Sequence, residues 1–176
     1  MRLLPPLAVR LLSELTPCEL VRVQMQGDEP TLAIAALDEK GERQLICLDV
    51  AQTAQGALPP PVFVSGQSGR SVAVICLGKD YAFVPANLAH AQAHPSTDGR
   101  LNGALLVGPS GAFLRVHGKI GGSTDTRYLD IAKGSIVSSI PDPEATFYFP
   151  AWSIRWTNAE VLRHLQEPLF SFALVA

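Results

Sequence analysis

The stretch TLAIAALDEKGERQLICLDV, residues 31–50, decides the fold class. Two apolar runs, residues 31–37 and 44–50, flank Asp38-Glu39-Lys40-Gly41, a turn-forming tetrad that ends in glycine. Runs of this length suit strands rather than helices, and so short a turn joins them as an antiparallel hairpin.

The same signal recurs on both sides. Residues 20–25 read as a preceding strand, and residues 52–61 as a connection ending in the stiff run Pro59-Pro60-Pro61. Residues 72–77 are continuously apolar and rich in β-branched side chains, which predicts a central strand covered on both faces. Gly78-Lys79-Asp80 is expected to turn that strand back into residues 81–84. Residues 87–102 lose the alternation and read as a loop with one helical turn at 88–93. Further hairpins are predicted for residues 104–107 with 112–117, around Gly108-Pro109-Ser110-Gly111, and for 127–132 with 135–140, around Lys133-Gly134. The hairpins share length but not sequence, so they are no internal repeat.

Beyond them lies the densest aromatic segment. Residues 147–149 read as a strand, and then Trp152, Ile154 and Trp156 alternate with Ser153, Arg155 and Thr157. That period places both indoles on a buried face and Arg155 on the opposite one. Residues 169–175 return as a terminal strand. Helix is expected only near the ends. Leu7, Leu11, Leu12 and Leu15 recur at helical spacing between Pro5-Pro6 and Pro17, and Thr157 with Glu160 has capping-box spacing ahead of Val161, Leu162 and Leu165. The expected architecture is mainly β: an antiparallel β-sandwich or barrel built from hairpins, with a short N-terminal helix and a short helix near the C-terminus. Residues 1–17 are assigned to the amphipathic helix and 18–176 to a single β-rich domain.

Composition bounds the function. Of 176 residues 47% are hydrophobic and 17% charged, which supplies a core and rules out a disordered chain. Net charge is −2 and no segment clusters Lys and Arg, so a nucleic-acid partner is not expected. Cys18, Cys47 and Cys76 sit in or beside apolar runs at wide spacing and read as buried thiols in a reducing compartment. The start lacks the uninterrupted apolar stretch of a secretory leader, and no segment approaches the roughly 18 apolar residues of a membrane span. A cytoplasmic location follows as an expectation, and the excess of Arg over Lys with abundant Ala suggests a bacterial source.

Catalytic patterns are incomplete. Gly66-Gln67-Ser68-Gly69-Arg70-Ser71 lacks the spacing of a phosphate-binding loop, having Val64 where the first glycine belongs and a strand where the helix should follow. His90 and His94 have the four-residue spacing of a two-histidine metal site, with Asp98 or His117 to complete it, but Pro95 ends any helix that would align them. No metal and no cofactor are therefore expected. Ser68 and Ser110 lie in glycine turns without the elbow of a serine hydrolase. Asp125, Arg127 and Asp130, near Lys119 and His117, read as hairpin polarity. No catalytic residue is assigned.

The expectation that remains is a non-catalytic β-rich assembly or protein-interaction module, a homo-oligomer or a subunit of a larger complex. Its contacts are expected at Leu4, Leu7, Leu11, Leu12 and Leu15 of the N-terminal segment, and at Arg155. The alternatives are a small hydrolase or metal-dependent enzyme using the His90/His94 loop, and a barrel that binds a small ligand in its mouth.

Overall fold

The computed structural model describes residues 7–24, 30–49, 52–53, 56–57, 61–64, 72–93, 101–120, 123–163 and 165–174. They are mainly β. The strands are β1 (Ala8–Leu11), β2 (Leu20–Val23), β3 (Thr31–Leu37), β4 (Arg43–Cys47), β5 (Gln52–Thr53), β6 (Gly56–Ala57), β7 (Val62–Val64), β8 (Ala73–Gly78) and β9 (Tyr81–Pro85). They continue with β10 (Gln92–Ala93), β11 (Leu105–Gly108), β12 (Gly111–Ile120), β13 (Ser123–Asp130), β14 (Ser135–Val137), β15 (Phe147–Phe149), β16 (Ala151–Trp156) and β17 (Phe170–Ala173). The one α-helix among the described residues, α1 (Ala159–Leu162), is a single turn whose first amides are capped by the Asn158 side chain.

The large sheet follows the order β1-β8-β2-β3-β14-β13-β12-β11-β15-β10, with β4 and β7 bridging β3 to β12. Strand pairing therefore runs round a ring, β3-β4-β7-β12-β13-β14 and back to β3, closed by the single parallel contacts Ser135 with Leu37 and His117 with Val62. The expected hairpins β3–β4, β11–β12 and β13–β14 are all present as antiparallel pairs. Where β12 passes β7, Gly118 lies under the Phe63 ring. A separate antiparallel sheet has the order β17-β16-β9.

One core holds the sheets together. Leu32, Ile34 and Ala36 of β3 meet Leu114 and Val116 of β12, Leu129 of β13, and Trp152 and Ile154 of β16. The alternate residues of β3, Ala33 and Ala35, face a second cluster with Val21, Leu45, Val74 and Cys76, sealed by Leu12 and Leu15. Thus β3 is buried on both faces, as its unbroken apolar sequence requires.

Four expectations are corrected. The N-terminal helix is absent from the described residues: Ala8–Leu11 is a strand and Leu12–Glu14 one 3-10 turn. A helix of about ten residues is marginal on its own, whereas the extended chain gains a ladder on β8 and drops Leu12 and Leu15 into the second cluster. β8 is not covered on both faces. It lies next to the sheet edge, and Ile75 remains 40% exposed. Residues 78–80 do not make a hairpin, because β9 leaves β8 and pairs with β16 instead. Near the C-terminus only Val161 is buried, and Leu162 and Leu165 stay exposed because the helix ends after one turn.

Candidate functional site

Two exposed apolar surfaces stand out, one at a sheet edge and one where the β17-β16-β9 sheet parts from the large sheet. At the edge, β1 has β8 as its one strand partner among the described residues. The bond from Leu12 N–H to the Val72 carbonyl, 2.9 Å, fixes the parity of this antiparallel ladder. Ala8 and Arg10 therefore turn their backbone groups to β8, while Val9 and Leu11 turn theirs outward. The outward amide of Leu11 is taken by Glu14, whose Oε2 accepts it at 3.0 Å.

The side chains follow the same alternation. Leu7, Val9 and Leu11 share one face and are 42%, 75% and 39% exposed, and Ile75, directly opposite Val9, adds 40%. Arg22 lies beside Ile75 on β2 and is paired with Asp49 at 2.8 Å, giving the patch a polar rim. Arg10, on the other face, is held by Glu19 at 2.6 Å. The strip thus combines apolar side chains with outward backbone groups at the edge of the described sheet.

Of the residues expected to make contacts, Leu7 and Leu11 lie on this strip, whereas Leu12 and Leu15 are buried beneath it at 2% and 1% exposure. Leu4 lies outside the described residues. Arg155 is exposed on β16, opposite Ala82, and so stands apart from the strip. The strongest contributor, Val9, went unnoticed in the sequence, although Leu7, Val9 and Leu11 do alternate.

The second surface is a cleft of about 400 Å³ between β9 and the ends of β11 and β12. Phe83 and Pro85 form one wall, Val107, Ala112 and Ile131 the other, and Lys79 and Cys18 stand at one end. Cys18 adopts a left-handed backbone with φ 66°, packed against Gly134. Its carbonyl accepts from the Tyr81 hydroxyl at 3.1 Å, and its thiol donates to the Ile131 carbonyl at 3.4 Å. Burial, outweighing the nearby Lys79 ammonium, pushes the Cys18 thiol up, so the reactive thiolate is disfavoured. Burial likewise raises the Tyr81 phenol, and it takes the Cys47 thiol to about 12.

The other candidates are not brought together. The backbone of His90 lies in a 3-10 turn, Leu88–His90, while His94, Asp98 and the residues of the 66–71 loop, including Ser68, lie outside the described residues. His117 is half-buried on β12, and among the described residues no group of three His, Cys, Asp or Glu side chains is arranged to hold a metal. Ser110 donates to Asp142 at 3.1 Å, a turn contact with no histidine in it. Arg127 is paired with Asp125 at 2.6 Å, and Asp130 with Lys133 at 3.2 Å. No described helix is long and apolar enough to cross a membrane. No protein-family model, curated protein or solved structure matches the chain.

Proposed function

We propose that the chain is a non-catalytic assembly module, a β-sandwich or barrel in architecture, that self-associates by pairing β1 with β1 of a second copy. The observation that carries this reading is the exposed strip of Leu7, Val9 and Leu11 on an edge strand whose Val9 backbone groups point outward.

The strand is complementary to itself in one register. With Val9 opposite Val9 of the second copy, the two residues exchange a pair of backbone bonds, Leu7 meets Leu11, and Ala8 meets Arg10. Centring on Arg10 would oppose two like charges. Centring on Leu7 would bring Pro5 and Pro6, which have no N–H, against the partner strand. The Val9 register joins the two apolar strips into one continuous face.

Burying a Val or Leu is worth about 1.5 to 3 kcal/mol when fully exposed beforehand, and association itself costs about 4 kcal/mol or more. Four partly exposed side chains per copy, together with the backbone bonds the two strands exchange at about 0.5 to 1.5 kcal/mol each, support a dimer with a dissociation constant on the order of micromolar. Sedimentation equilibrium tests it. The expected result is a reversible species of twice the 18.8 kDa chain mass, returned to monomer by Val9→Asp with the β circular dichroism unchanged. A wild-type chain that stays monomeric at about 100 μM, well above that constant, would overturn the reading.

A further inference from the structure

We propose that the cleft between β9 and the ends of β11 and β12 binds a small amphipathic carboxylate, its apolar chain lying on Val107, Ala112 and Ile131 and its carboxylate on Lys79. This site is separate from the β1 edge and stands independently of it.

The cleft is the open end of the core. Phe147, Val107, Ala112 and Ile131 lie opposite one another in successive positions across β15, β11, β12 and the end of β13. Two residues further along, the same face carries Phe149, Leu105, Leu114 and Leu129, all 8% exposed or less. The row thus belongs to the core face by its alternation, yet Phe147 is 52% and Val107 38% exposed. Within the cleft the row runs from Val107 through Ala112 to Ile131, two inter-strand steps of about 4.8 Å, or about 10 Å, and Phe147 lies beyond its lining. With the facing wall of Phe83 and Pro85, the 400 Å³ trough falls within the usual range of small-molecule sites, roughly 300 to 1,000 Å³.

The polar groups select the ligand. Tyr81 and Cys18 spend their donors on the Cys18 and Ile131 carbonyls, leaving little to satisfy a sugar or other polyhydroxylated molecule. Asp130, whose charge also reaches the Cys18 thiol, is engaged by Lys133 and by the amides of Ala132 and Lys133. Lys79 lines the cleft and makes no ion pair with the described residues. An apolar wall with one cation at its end, unpaired among the described residues, matches an alkyl chain carrying one anionic group, and repels a cationic one.

Decanoate, held below its micelle concentration, is the probe, with 1-decanol as the uncharged control. Titration followed by amide chemical shifts should saturate and move the signals of Val107, Ala112 and Ile131. Lys79→Ala should weaken decanoate about fivefold, the loss of one partly exposed charge contact, while 1-decanol changes less than about twofold. Ala112→Phe, which fills the trough, should abolish binding of both. Lys79 is exposed, so its variant still decides the matter should Ala112→Phe fail to fold. No saturable decanoate binding by about 1 mM, equal affinity in Lys79→Ala, or shifts confined to another surface would each overturn the proposal.

Discussion

The carboxylate of Glu14 closes the outward backbone amide of Leu11, Oε2 accepting it at 3.0 Å, and so blunts one end of the open β1 edge. Val9, two residues earlier, keeps its outward groups without a partner among the described residues. An edge strand half-guarded in this way suits reversible pairing better than unlimited strand addition. Glu14→Ala frees the Leu11 amide for a partner strand. Since one net backbone hydrogen bond is worth about 0.5 to 1.5 kcal/mol and the two-fold pairing repeats it in each copy, the dimer should tighten by about five- to 150-fold. Sedimentation of the variant checks this; a weaker dimer would show that Glu14 supports the interface instead of guarding it.

Trp152 ties the small sheet to the core. Its Nε1 donates to the Gly103 carbonyl at 2.6 Å, and its ring lies 5.1 Å from Phe83 and 5.3 Å from Phe172, centroid to centroid. Trp152→Ala should cost about 3 to 5 kcal/mol in urea unfolding, whereas Arg155→Ala, at the exposed position of the same strand, should stay within about 0.5 kcal/mol. Comparable midpoints for the two variants would contradict the assignment of faces on β16.

Gly134 and Gly103 are each required twice over. Gly134 has φ +65°, and a Cβ there would stand 2.6 Å from Pro17 Cβ and 2.7 Å from Cys18 Sγ. Gly103 has φ +83°, with the Phe172 ring 2.1 Å from the place of its Cβ. Alanine at either position should destabilise the fold by more than about 1 kcal/mol, adding the backbone penalty to the displaced contact. Gly134→Ala should also shift the amide signals around Cys18. Unchanged melting of both variants would contradict these contacts.

Burial, and after it the Arg115 guanidinium, hold the imidazole of His117 below its ordinary pKa of 6.5. Just below that pH the unfolded chain binds more protons than the folded one. The stability from a neutral His117 is therefore complete above about pH 6.5 and is lost as pH falls toward the depressed folded value. Thermal melts between about pH 7 and about pH 5 should show a smaller acid shift in His117→Gln than in the wild type. Equal shifts would place the acid sensitivity elsewhere.

The legible parts of the fold were those written locally. Asp38 to Gly41 fixed the β3–β4 hairpin through turn chemistry, and the period-two pattern of Trp152, Ile154 and Trp156 assigned their faces. The N-terminus misled because two patterns overlap there. Leu7 and Leu11 alternate with Ala8 and Arg10 along a strand, while Leu12 and Leu15 fall one turn beyond it, and together they imitate helical spacing. An unbroken apolar run such as that of β8 does not reveal which face the rest of the chain leaves open; Val74 and Cys76 face the second cluster, while Ile75 shares the opposite face with Val9 and Arg22 and is exposed. Pro150 separates β15 from β16, and these adjacent strands enter different sheets, a choice set by distant partners. The cleft was illegible for the same reason, since Lys79, Val107 and Ile131 meet only through the strand order.

The most direct measurement is cross-linking of Val9→Cys under mild oxidation in a Cys18→Ser, Cys76→Ala background, which removes the thiol directly opposite Ala8 on β8. Residues directly opposite in a hydrogen-bonded antiparallel pair have Cα atoms about 5.5 Å apart, within reach of a disulfide, which spans about 4.4 to 6.8 Å. Val9→Cys should form a covalent dimer rapidly and at low concentration, whereas Ala8→Cys, placed opposite Arg10 of the second copy, should not. A Val9→Cys chain that remains monomeric, or that cross-links no faster than Ala8→Cys, would contradict assembly through the β1 edge.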